Sequence, residues 1–138
     1  MTAWPIVKVV FPRPWLLALA LGHGCVTSRP VEPMVPPQLE EEGHVVEVAH
    51  AFVSATRDRR FDVVLGLLSE RWRARSTAAR LAADFDVEPL AEERLGRVEA
   101  ALAGRPRIEG DTAQLRLGPG RALVLVREET GWRVDRLE

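Results

Sequence analysis

The sequence predicts an α+β fold, with about four N-terminal helices packed on a C-terminal antiparallel meander of three or four strands. Two observations carry this prediction. Between Val45 and Leu102 apolar residues recur at helical spacing, and after Gly110 the period shifts to the two-residue alternation of strands. A third is the punctuation of the late segment by turn formers, Gly110, Gly118-Pro119-Gly120 and Thr130-Gly131, at spacings that suit short strands joined in sequence. Of 138 residues, 46% are hydrophobic, and the stretch past residue 39 is long enough for one core and too short for two domains.

The N-terminus is organised differently. Met1–Pro14 carries Lys8 and Arg13, Trp15–Leu21 is a short apolar run, and Gly22-His23-Gly24 leads to Cys25, the only cysteine of the chain. A basic start, an apolar core and small residues in that order read as an export signal over residues 1–24. The apolar run falls well short of the roughly 20 residues that span a bilayer, and Pro12 and Pro14 keep the upstream apolar residues from extending it. Leu21-Gly22-His23-Gly24-Cys25 resembles the lipobox of bacterial lipoprotein signal peptides, with Gly22 where Leu is usual and His23 where Ala, Ser or Thr is usual. That resemblance implies cleavage before Cys25 and its acylation, so that the membrane is held through the new N-terminus. The alternatives are ordinary signal-peptidase cleavage nearby and an uncleaved apolar N-terminus, with Cys25 a free thiol. One cysteine forms no internal disulfide in any compartment.

Residues 25–39 follow as a linker. Pro30, Pro33, Pro36 and Pro37 favour a solvated, extended backbone, a spacer able to hold a domain clear of a membrane surface. The α+β domain occupies 40–138. Val45, Val48, Ala49, Phe52 and Val53 lie on one face of a first helix running from about Glu40 to Arg57, with Glu40, Glu41 and Glu42 at the end where the helix dipole favours acids. Phe61, Val64, Leu65 and Leu68 repeat the template in a second helix whose stripe Trp72 continues, with Gly66 a mildly unfavourable interior residue. Ala78, Leu81, Ala82 and Phe85 mark a third, capped by Ser76 or Thr77. A fourth has Pro89 in its first turn, Leu95, Val98 and Leu102 as its stripe, and Gly104 and Pro106 as its stop.

Leu115 and Leu117 then alternate with Gln114 and Arg116, Ala122–Val126 is an unbroken apolar run suited to a strand covered on both faces, and Trp132–Asp135 alternates again. Ile108 begins a fourth strand at the edge. A leading amphipathic helix, a break at Asp58-Arg59-Arg60-Phe61, a short helix ending in Leu67-Leu68-Ser69 and a meander closing on Gly131–Asp135 resemble the small exported proteins of the NTF2-like superfamily, over most of 42–138. The resemblance implies helices wrapped against a curved sheet to make a cone, used in some members as an enzyme pocket and in others as a binding or assembly surface. Because few residues follow Gly104, the cone is expected to be truncated and its pocket shallow.

Composition narrows the chemistry. The net charge is −1, lysine occurs only at Lys8, and the arginines are interleaved with carboxylates, as in Arg57-Asp58-Arg59-Arg60, which argues against a nucleic-acid partner. His44, Glu47 and His50 are spaced by three, so the two histidines do not share a helix face as zinc pairs at i, i+4 do; a solvated face is expected and no metal. Asp84, Asp86 and Glu88 alternate like calcium-loop ligands but lack the glycine and distal glutamate of such loops. Asp111 sits in a turn, and strand alternation points Asp135 away from the face of Trp132 and Val134. Trp72 and Trp132 are core anchors by size, and the candidates for lining a shallow groove. No catalytic set is expected, and no cofactor.

The combined expectation is a membrane-anchored lipoprotein of the bacterial cell envelope with a non-catalytic binding or assembly domain, its partner an envelope protein or a small apolar ligand. Two rivals stand beside it. One is an isomerase- or dehydratase-type enzyme using Asp135, Asp111 or His50 as base; the other is a soluble periplasmic structural subunit, marked by a broad apolar patch and a dimer.

Overall fold

A computed structural model describes residues 34–137. The segment read as an export signal, Cys25 and the proline-rich residues as far as 33 lie outside the described residues.

The described chain is α+β, five helices followed by a four-stranded antiparallel sheet. Helix α1 (Pro37–Arg57) begins before the expected Glu40, with Pro36 as its N-cap residue. A proline at the first helical position lacks only an N–H that would have no intrahelical partner, and its fixed φ is already helical, so Pro37 ends the linker early. Val45 and Ala49 are fully buried and Val53 nearly so, while His44, Glu47 and His50 are on the exposed side. The helix terminates with Arg59 in the left-handed region at φ 58°, and the Arg60 N–H donates to the Ala55 carbonyl at 2.8 Å.

Helix α2 (Phe61–Leu67) is shorter than the apolar stripe implied. Leu68 and Ser69 turn extended, at ψ 155° and 156°, before the single turn of α3 (Glu70–Arg73), so Trp72 is not on a continuous stripe. The break is stabilised from outside the helix: Leu68 forms a parallel bridge with Val134, and the Ser69 N–H donates to the Val134 carbonyl at 2.8 Å. Backbone groups freed by ending the helix are thus satisfied at a sheet edge. Helix α4 (Ala78–Val87) has Thr77 as its cap, the hydroxyl accepting from the Arg80 N–H at 3.2 Å. Helix α5 (Ala91–Ala101) has Leu90 as its N-cap residue, so Pro89 stands before the helix rather than in its first turn.

Strands β1 (Arg107–Glu109), β2 (Thr112–Gly118), β3 (Arg121–Glu128) and β4 (Gly131–Leu137) pair in sequence order. Ile108 belongs to the short edge strand β1, opposite Ala113. The Pro119-Gly120 turn needs a positive φ at its second residue, which Gly120 supplies at 68°. The last turn is centred on Glu129-Thr130, one residue earlier than the composition indicated, and Gly131 opens β4.

One face of the sheet meets α1 and α5. Ala113, Leu115, Leu123, Leu125, Trp132 and Val134 pack there with Val45, Ala49, Val53, Leu68, Leu95 and Val98. A second, smaller cluster of Ala55, Phe61 and Val64 lies under α4, whose Leu81 and Phe85 cover it without being fully buried. In β3, Val124 is only 3% exposed although its side chain points opposite to Leu123 and Leu125, so the middle of the apolar run is buried on both faces while Ala122 and Val126 are half-buried. Its ladder neighbours Gln114 and Arg136 have long stems suited to shielding it.

Candidate apolar groove beside strand β4

An apolar groove of about 320 Å3 runs where the two clusters meet. Phe52 of α1, Phe61 and Val64 of α2, and Leu81 and Phe85 of α4 form one wall; Leu95 of α5 with Val134 and Leu137 of β4 form the other. Phe61 and Phe85 contact each other with ring centroids 5.8 Å apart. Arg59, held at its left-handed φ, places its guanidinium 5.7 Å and 5.9 Å from the two ring centroids and pairs with Asp86 at 2.5 Å. One strained residue therefore joins the end of α1 to α2 and α4, the helices that form the groove wall.

Trp72 lines the groove and is 39% exposed. Its indole N–H donates to the Asp135 carbonyl, and Arg75 lies 5.5 Å from its ring centroid. Trp132 is placed elsewhere: it is 4% exposed in the sheet core and lines none of the surface depressions described, because its strand position faces α1 and α5. The Arg127 guanidinium caps its ring at 4.6 Å from the centroid and reaches Glu41 of α1 at 2.8 Å.

Asp135 departs from the alternation that pointed it to water. The β3–β4 register pairs Leu125 with Val134 and Val124 with Arg136, leaving Asp135 as the extra residue of a β-bulge. A bulge re-aims the side chain it carries. The Asp135 carboxylate turns toward α3 and the groove, its side chain 13% exposed, and accepts from the Ser69 hydroxyl at 2.7 Å and from Arg71 at 2.7 Å. These contacts make Asp135 a latch between α3 and β4. The other proposed bases are not beside it: Asp111 has 84% of its side chain exposed near Arg127, and His50 lies in a separate depression with Arg57 and Glu99.

A second latch holds the start of α3. The Glu70 backbone N–H donates to Glu128 at 2.6 Å and Arg73 pairs with the same carboxylate at 2.8 Å. The backbone hydrogen bond first, and then the Arg73 guanidinium, hold the Glu128 carboxyl below the usual carboxylate range against an opposing effect of burial.

Asp84, Asp86 and Glu88 pair with three different arginines, Arg80, Arg59 and Arg94, rather than converging. Among the described residues no group of three potential ligands could hold a metal ion, and no helix is long and apolar enough to cross a membrane. No known family, curated protein or solved structure matches this chain.

Sequence reasoning expects a shallow groove but not its walls: periodicity puts Phe52, Phe61, Val64, Leu81 and Phe85 on the core faces of their helices, and a half-buried Phe85 has the same spacing as a buried one. One signal carries partial information: α4 offers few large apolar residues.

Proposed function

We propose that the chain is a lipid-anchored cell-envelope protein, acylated at Cys25, whose NTF2-like domain is a non-catalytic module that holds a small apolar ligand in the groove beside β4. The carrying observation is the groove: about 320 Å3, within the lower range of small-ligand sites, walled by aliphatic and aromatic side chains. The helix-first order and the late antiparallel meander with helices over one face support the fold-family reading. The basic, apolar, small-residue order of residues 1–24 supports the address.

A neutral fluorescent naphthylamine probe tests the groove. Saturable binding is expected for the full chain and is expected to vanish in Ala91→Trp, which fills the space at the start of α5 while leaving the unfolding transition in place. Binding that survives the filled groove would remove this assignment. Intact mass and membrane fractionation beside Cys25→Ser test the anchor. A membrane-bound chain beginning at Cys25 and heavier by a diacylglycerol supports it; a soluble chain cut elsewhere makes the domain a free periplasmic module.

The position of Asp135 favours one second reading, an isomerase- or dehydratase-type enzyme with this carboxylate as base. Ser69 and Arg71 already occupy its oxygens, which suits a latch better than a base. Asp135→Asn separates the two readings: a binding module keeps its probe affinity to within the effect of a loosened α3, whereas an enzyme loses turnover while still binding.

A further inference from the structure

The charge around the groove is not evenly spread. At the end formed by Arg94 and Leu137 the groove meets a second depression of about 280 Å3, lined by those two residues with Leu90, Arg97, Leu117 and Arg121. Arg121 also belongs to a third, of about 460 Å3, on the outer side of the sheet, where Arg105, Arg107 and Arg116 join it. No carboxylate lines either of these two depressions.

Pairing separates these arginines from the rest. Among the described residues, Arg105, Arg116 and Arg121 are the arginines whose side chains make no hydrogen bond, ion pair or ring contact, and all three line the same depression. Arg94 and Arg97 are held by Glu88 at 3.5 Å and Glu93 at 3.1 Å, both pairs on one side only of guanidinium groups that carry five donors each. Unpaired like charges repel and are retained at a cost unless an anion balances them; planar guanidinium groups are matched to carboxylate and phosphate oxygens. The carboxylates that face the apolar groove, Asp84, Glu88 and Asp135, each pair with an arginine, and Asp84 is two-thirds exposed.

We propose that the site takes a single-chain amphipathic anion, its hydrocarbon chain in the groove and its carboxylate or phosphate head among Arg94, Arg97 and Arg121. This rests on the groove reading above and adds the ligand class. The wider group of arginines on the outer sheet face raises the local potential and draws the head to that end. Orientation follows: the chain's free end points toward Phe61 and Phe85, away from the head site of Arg94, Arg97 and Arg121.

The test is calorimetric titration of the full chain with dodecyl phosphate, dodecanoate, neutral dodecanol and inorganic phosphate, all below micelle-forming concentrations. Dodecyl phosphate and dodecanoate are expected to bind about tenfold or more tightly than dodecanol, a difference erased by Arg121→Gln and enlarged by lower salt. Shortening the chain is expected to weaken binding about three- to fourfold per methylene. Arg121 is exposed and unpaired, so its removal leaves the fold intact, and Arg94→Gln provides an independent second variant. Equal binding of anion and alcohol, both lost in Ala91→Trp, would overturn the head site and leave the groove standing. Binding of none of the chain-bearing compounds would overturn both. Inorganic phosphate binding as tightly as dodecyl phosphate would mark a free-anion site, and retention on anionic vesicles without uptake of monomers would mark a membrane-contact face; either result overturns the amphiphile.

Discussion

The cluster on the sheet and the cluster under α4 use similar residues to different ends. On the sheet, Leu115, Leu123 and Leu125 from adjacent strands meet Val45, Ala49 and Val98, and nearly every side chain is wholly removed from water. Under α4 only Ala55, Phe61 and Val64 are buried, and the helix above them contributes no fully buried residue. Sheet and helices interlock in the first case because strands present a continuous apolar face. In the second, a helix of 10 residues joined to its neighbours by polar connections leaves space beneath it, and that space is the groove. Incomplete packing is destabilising in a core and is what a binding site consists of.

The largest separation between the two regions is expected from truncating each. Leu125→Ala, in the sheet cluster, is expected to cost about 3 to 4 kcal/mol in urea unfolding, and Phe85→Ala only about 1 to 2 kcal/mol while abolishing probe binding. Comparable losses from both would mean that α4 is packed as tightly as the sheet. Ser69→Ala comes next. It removes the hydroxyl that donates to a largely shielded Asp135, with an expected loss of about 1 to 2 kcal/mol and faster hydrogen exchange in α3.

Glu128 gives the sheet side a pH signature. Because its carboxyl is held below the ordinary range in the folded chain, it adds stability that is complete above the unfolded pKa, about 4.3, and is lost as pH falls through the lower folded value. Urea midpoints measured from roughly pH 6 to pH 3 should fall less steeply in Glu128→Gln than in the parent, with the two curves converging at the acid end. A parallel pair of curves would remove Glu128 from the latch.

Arg59→Gly is the smallest change in global stability and the most telling about α4. Glycine relieves the left-handed strain, and the lost Asp86 pair is exposed, so unfolding should shift by less than about 1 kcal/mol. The probe should nevertheless bind more weakly, since Arg59 packs over both Phe61 and Phe85 in the groove wall. Unchanged affinity would show that the wall stands without it.

Sequence periodicity recovered what repeats. The stripe Val45–Val53, a cap at Ser76 or Thr77, the stop after Leu102 and the strands that follow Gly110 each have a local cause, and each was legible, although the sheet already begins at Arg107. Tertiary overrides were not. Helix α2 ends at Leu67 because Leu68 and Ser69 find partners on β4, and nothing within that stretch announces a strand some 60 residues later. Asp135 faces the groove because the β3–β4 register slips by one, and a bulge reverses any inference from alternation past it. Trp72 and Trp132 look equivalent as aromatic residues, yet one follows a helix break and stays exposed while the other occupies a core position in β4. The unpaired arginines were invisible for a related reason: Arg105, Arg116 and Arg121 are interleaved with other residues in sequence and meet only when the sheet folds.

The most direct measurement is amide hydrogen exchange on the full chain with and without a saturating apolar ligand. If the underpacked helical layer is the binding site, protection should rise in α2 and α4 on binding, with β3 already slow and unchanged. Protection that rises uniformly, or in β3 but not α4, would contradict it.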